Sequence, residues 1–177
     1  MTHLDAPSLI TLALLVLLAA AADIRTRRIP NPLTATGAIA GFILNTALHG
    51  IPGARSSLLG LALGAALFLP LFLLRGRGGG DVKLMAAAGA IAGPSNTLLI
   101  FVLTAITGAI LALVLLLSKG GLSTVLRNCA LILHELAHLR PPYQRHPELA
   151  LENSTTPKLP YAIPIAIGTL LFLAIAS

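Results

Sequence analysis

From residue 97 to residue 117 the chain runs without a charged side chain, and roughly 20 such residues wound as an α-helix cross the hydrocarbon core of a bilayer. A helix apolar on every face needs lipid, or a large protein core, around it. The rest of the chain repeats the pattern, with apolar runs at 9–22, 33–48, 57–74, 82–93 and 161–177 separated by Pro, Gly, Asn and Arg. With 56% of the 177 residues hydrophobic and 10% charged, there is more apolar surface than a soluble domain could bury. The expected fold is an all-α, polytopic membrane bundle of six transmembrane helices in a single domain, 1–177.

The run 9–22 is shorter than a crossing requires, which draws Pro7, Ser8, Asp23 and Ile24 into the first helix or its interface. Its positive charges follow the apolar core, whereas a cleaved secretory signal carries them in front. Pro30 and Pro32 flank Asn31 and force a turn before the second span. Residues 51–55 are expected to break the chain again, and Gly60 and Gly64 carry the spacing of a close helix contact. The run 82–93 is short and made largely of Ala and Gly, which places it inside the bundle, with 97–117 facing lipid. Residues 118–160 form a long polar loop, within which 122–139 is patterned as an interfacial amphipathic helix.

Ten of the twelve Lys and Arg (25, 27, 28, 75, 77, 119, 127, 140, 145, 158) fall in loops on one side of this arrangement, with Lys83 close by and Arg55 alone opposite. Cationic loops stay in the cytoplasm, so that face is cytoplasmic and both termini lie outside. The net charge of +6 therefore reports topology. No dense basic patch suggests nucleic acid. The single Cys129 excludes an intramolecular disulfide and a Cys-x-x-Cys zinc ribbon.

Two acids, Asp23 and Asp81, share the cytoplasmic depth, one closing the first span and one opening the fourth. Acids at membrane depth are rare and tend to be functional. Gly78, Gly79 and Gly80 precede Asp81 and permit close approach of another backbone. Two carboxylates brought together can share a proton, one acting as base toward a water and the other as acid toward an oxyanion, without metal or covalent intermediate. The alternative is two solvated interfacial acids, Asp23 paired with Arg27, and Asp81 paired with Lys83 or Arg77 or capping a helix that starts at Val82.

The segments Asp23-Ile24-Arg25-Thr26-Arg27-Arg28-Ile29-Pro30-Asn31 and Gly78-Gly79-Gly80-Asp81-Val82-Lys83-Leu84 together resemble the type IV prepilin peptidase family of aspartic membrane proteases. That family's pattern is an Asp ahead of Ile-Pro-Asn and a Gly-x-Gly-Asp ahead of Lys. Pro160-Tyr161 is similar to the element opening the family's last span. The resemblance implies Asp23 and Asp81 as the catalytic pair, and Gly78, Gly79, Gly80, Lys83, Pro30, Asn31, Pro160 and Tyr161 as residues shaping the site or binding substrate. It also implies no cofactor and no metal, a prepilin or pseudopilin substrate cut at the cytoplasmic face of the bacterial inner membrane, and contact with membrane lipid. Without an N-terminal Cys-x-x-Cys domain the chain is similar to the short, peptidase-only branch of tight-adherence (Flp-type) pili, which implies no N-methyltransferase activity. The family's leaders are basic, as is this face, so Glu148, Glu152 or anionic lipid is expected to receive the leader.

Two rival readings remain. His134-Glu135-Leu136-Ala137-His138 fits His-Glu-x-x-His, a helical zinc-protease motif with Glu135 as base, although no third ligand stands at the extended motif's spacing. A small transporter or assembly subunit accounts for the hydropathy but not for two acids at one depth, each flanked by cations and turn formers.

Overall fold

The computed structural model describes residues 4–75, 79–118 and 161–176, and every regular element among them is helical. These are α1 (Ala6–Thr26), α2 (Asn31–Arg75), α3 (Gly79–Ala92), α4 (Pro94–Ser118) and α5 (Ala162–Ala176). Three are long and apolar enough to cross a membrane, over Ala6–Thr26, Asn31–Pro70 and Pro94–Leu115. The interfacial helix expected at 122–139 lies outside the described residues. The chain divides into two compact units at Ala109, with α5 belonging to the first. Among the described residues the second unit holds the last turns of α4, closed by Ser118 Oγ donating to the Leu115 carbonyl at 2.9 Å.

α1 takes in Pro7, Ser8, Asp23 and Ile24, and its 21 residues give a length of about 32 Å. Proline stands in its first turn, where the missing N–H costs no helical bond. It ends where Arg27 turns left-handed at φ 54° and returns its N–H to the Asp23 carbonyl at 2.9 Å. The buried residues Ser8, Leu12, Leu15, Val16, Ala19 and Asp23 repeat at helical spacing along one face. Asp23 thus continues the stripe that packs inward.

Drawn straight, the 45 residues of α2 would reach about 68 Å, twice a bilayer core. The chain instead reverses at Gly50, whose φ of 63° and ψ of −143° suit glycine. Gly53 then lies against the Asn45 carbonyl, although eight residues of straight helix would hold them about 12 Å apart. The break expected over 51–55 is therefore one residue, Gly50, and Pro52 sits harmlessly at the start of the second arm. At this end His49 Nε2 stands 3.3 Å from Asp5 Oδ2 at the head of α1. The arm 31–49 therefore runs antiparallel to α1 over the same length.

α3 packs between the two arms of α2. Gly41 faces Ala90 and Ile91 from the first arm, while Gly60 and Gly64 face the carbonyls of Gly89 and Met85 from the second. A methyl group at either of the latter positions would overlap backbone, so the Gly60/Gly64 spacing is used for near-contact of helices. From Leu84 to Ala92 only Ala86 escapes full burial. α3 starts at Gly79, earlier than residue 82, which puts Asp81 in its first turn and not at its cap.

α3 passes to α4 through Gly93 alone, at φ 76°, followed by Pro94. Proline offers no N–H to the Ala90 carbonyl four residues back. Two side chains from α2 supply what is missing. Asn45 Nδ2 donates to the carbonyls of Ala90 (3.0 Å) and Ile91 (3.1 Å), and Ser57 Oγ donates to Ala90 at 2.7 Å. α5 packs on α4 where Gly168 meets Thr104 and Thr107 Oγ1 donates to the Pro164 carbonyl at 3.2 Å. It also joins the core of Leu12, Leu15, Ala19, Leu84 and Ile91 through Ile165 and Phe172.

Because Asn45 serves three buried carbonyls, Gly41, Ala90 and Ile91, and Ser57 one that is shared, Asn45→Leu is expected to lower stability by about 1–2 kcal/mol, and Ser57→Ala by less. Unfolding titrations in mixed micelles measure both; an Asn45→Leu protein as stable as the wild type would remove this account of the α3–α4 turn.

Candidate active site

Asp23 stands in the last turn of α1, only 7% exposed, while Ile24 and Arg25 through Arg28 around it are exposed. Its carbonyl accepts the Arg27 N–H in the backbone bond that closes α1. Asp23 Oδ2 accepts the backbone N–H of Ala162 at 3.2 Å, across 139 residues of sequence. Ala162 is the first residue of α5, and a helix's opening N–H groups have no acceptor of their own. The end of α1 and the start of α5 thereby satisfy each other.

Asp81 lies in the first turn of α3, half-buried and engaged with its surroundings. Two contacts bind this turn to the segment that leaves α1. Gly80 sits against Ile29, so that a Cβ there would come within 3.2 Å of the Ile29 Cβ. Three residues on, Lys83 Nζ donates to Asn31 Oδ1 at 2.9 Å. Lys83, offered by the sequence as a partner for Asp81 or a residue shaping the site, donates to Asn31, the first residue of α2. Gly79 differs in use, since among the described residues it has only the Phe72 ring near it, at 3.5 Å from where a Cβ would be.

Of the residues singled out in the sequence, Asp23, Asn31, Gly79, Gly80, Asp81 and Lys83 are gathered at the end of the bundle where α1 stops and α2 and α3 begin. Pro30 is exposed in the link ahead of α2. Tyr161 immediately precedes α5, half-buried, and its carbonyl accepts the Ile165 N–H at 3.4 Å. Gly78, Pro160 and the His134, Glu135, His138 motif lie outside the described residues. The sequence reading missed Ala162, which contributes through its backbone and leaves no side-chain signal. It passed over Ile29 as part of a motif, although Ile29 is what the small side of Gly80 accommodates.

A helical membrane protein whose two acidic segments, far apart in sequence, are tied to each other at one end of the bundle is the class defined so far. Residues 10–113 match the type IV leader peptidase family, a span holding both segments and more than half of the chain, and the protein belongs to that family. It is accordingly a peptidase of the membrane. No curated protein and no solved structure matches the chain.

The Lys83–Asn31 bond joins α3 to α2 at an exposed position. In a double-mutant cycle of Lys83→Met and Asn31→Ala the two changes are expected to couple by about 0.5–1 kcal/mol in unfolding free energy. Strict additivity would mean that the bond carries no stability.

Proposed function

We propose that this chain is an aspartic endopeptidase that removes the leader peptide of type IV, Flp-like prepilins at the cytoplasmic face, with Asp23 and Asp81 as its acid–base pair. The observation that carries this reading is the joining of the Asp23–Asn31 and Gly80–Lys83 segments through Gly80–Ile29 and Lys83–Asn31, in a member of a leader-peptidase family. One carboxylate takes a proton from a water as that water attacks the scissile carbonyl, and the other, protonated, donates to the oxygen that becomes anionic. When the tetrahedral intermediate collapses, the C–N bond breaks, the leaving amine takes up the proton held by the first carboxyl, and a hydroxyl of the intermediate returns its proton to the second as the product carboxyl forms, which resets the pair. Water supplies both the new hydroxyl and the new N–H, so no cofactor is consumed. Gly79 brings no side chain of its own to the approach to Asp81, as an extended substrate backbone requires.

Six crossings follow if α1, the arms 31–49 and 51–75, α3, α4 and α5 each traverse the bilayer once. The 18 residues from Asp5 to Asp23 give about 27 Å of helix, close to the hydrocarbon thickness. That length separates the exposed Arg25, Arg27, Arg28 and Lys83 from Arg55, beyond the Gly50 reversal. Cation count then turns the Asp23 end to the cytoplasm of the inner membrane.

Two experiments test these points. A candidate Flp-type prepilin is co-expressed in membranes with the wild type, Asp23→Asn, Asp81→Asn or the His134→Ala/His138→Ala pair. Each Asn variant is expected to lose cleavage by at least about 1,000-fold, as removal of an essential acid or base does. The double His variant should cut normally in the presence of chelator. Cleavage by either Asn variant at the wild-type rate sinks the pair, and loss confined to the His variant and chelator transfers the chemistry to zinc. For topology, a membrane-impermeant thiol reagent applied to intact cells lacking Cys129 should label the Arg55→Cys variant, and label Arg25→Cys only after permeabilisation. The reverse pattern would invert the bundle.

A further inference from the structure

We infer that the backbone N–H of Ala162 is a positioning group for Asp23, which makes the start of α5 a third part of the site beside the two acidic segments. The inference rests on the reading of Asp23 as catalytic. An aspartate at the end of a helix ordinarily samples several rotamers in water. Asp23 is instead 7% exposed, and its Oδ2 is held by the Ala162 N–H at 3.2 Å. The bond engages one carboxylate oxygen and leaves Oδ1 for proton transfer.

The donor is itself firmly placed. Ala162 is 0% exposed, α5 enters the core through Ile165 and Phe172, and Thr107 Oγ1 holds the Pro164 carbonyl at 3.2 Å. Gly168 presses on Thr104 one turn further along. The N–H therefore stands at a point set by α1, α4 and α5, while Asp81 rides on α3. Two acids that exchange protons with one water must meet it within tenths of an ångström, and displacement by 1 Å costs roughly 100-fold in rate. A fixed donor on one oxygen of Asp23 limits that displacement. The bond would equally serve as a plain cap for α5, so the test must separate placement from folding.

The test uses the full chain in membranes with a prepilin substrate. Ala162→Pro deletes the N–H at a helix's first residue, where proline is tolerated; Ala162→Gly keeps it. A third protein carries lactate in place of Ala162, introduced by nonsense suppression, which exchanges the N–H for an ester oxygen and alters no side chain. The Pro and ester proteins are expected to lose roughly 10- to 100-fold in kcat at unchanged KM, with the ester protein unfolding close to the wild-type temperature and Ala162→Gly cutting at nearly the wild-type rate. An ester protein with wild-type kcat overturns the inference, as does a loss of activity that only tracks a loss of folded protein. If the Pro protein fails to fold, the ester protein decides. Asp23→Asn, which retains an oxygen to accept the Ala162 N–H and should fold, is measured alongside. If it is active, the acid pair itself is wrong; if it is inactive while the ester protein is fully active, only the role of Ala162 falls.

Discussion

In an apolar surrounding a backbone N–H or C=O without a partner costs several kcal/mol, and each place where a helix ends exposes such groups. This protein ends helices inside its own packed interior, and polar side chains from elsewhere in the chain complete them. At the α3–α4 turn Pro94 withdraws the N–H that Ala90 would use, and Asn45 and Ser57 reach across from the two arms of α2. At the start of α5 the N–H of Ala162 finds the carboxylate of Asp23. The first solution builds the bundle, and the second ties its last helix to a residue of the candidate site.

The burial of α3 has the same logic of close backbone approach. A helix of 14 residues is about 21 Å long, too short to meet both membrane surfaces unaided. Packed between two arms through Gly41, Gly60, Gly64 and Gly89, it is shielded along its length, and its first turn can lie at the depth of the Asn31 link. Larger residues at those glycines would hold α3 away from α2, and Lys83 could not then reach Asn31. The small residues in the middle of the bundle thus determine where the acidic segment emerges.

Much of this was legible in the sequence because the signals were local. Prolines 7, 32, 52 and 94 all fall at or near helix starts, and Gly50 and Gly93 carry positive φ where the chain turns. The run of residues between Asp23 and Asn31 and the segment Gly79 to Lys83 marked the candidate site. Which face of α1 packs inward was not legible, since Ile10, Leu14, Leu17 and Leu18 on the outside are as apolar as Leu12, Leu15 and Val16 on the inside. Facing lipid, hydrophobic periodicity loses its meaning. The break at Gly50 was masked by the stronger-looking Pro52-Gly53 pair just after it. Asn45 and Ala162 stayed silent for a different reason: one acts on carbonyls about 45 residues away and the other has no polar side chain.

The two acids are consequently held by different parts of the bundle. Asp23 belongs to a framework of α1, α4 and α5, fixed by the Ala162 bond and the packing of Gly168 on Thr104. Asp81 belongs to α3 and, through Lys83, to the head of α2. The link from Arg27 to Pro30, with Ile29 seated on Gly80, passes between the two frameworks at this end. That link contains the one non-glycine residue among those described with a positive φ, Arg27. Left-handed backbone in a residue with a side chain costs roughly 1 kcal/mol and persists only where its surroundings demand it. The demand here is geometric: α1 must stop within one residue of Thr26 for Ile29 to reach Gly80 and Asn31 to reach Lys83. The strain at Arg27 and the meeting of the two acidic segments are therefore parts of one arrangement, in which the short turn after Asp23 sets how near Asp81 can come.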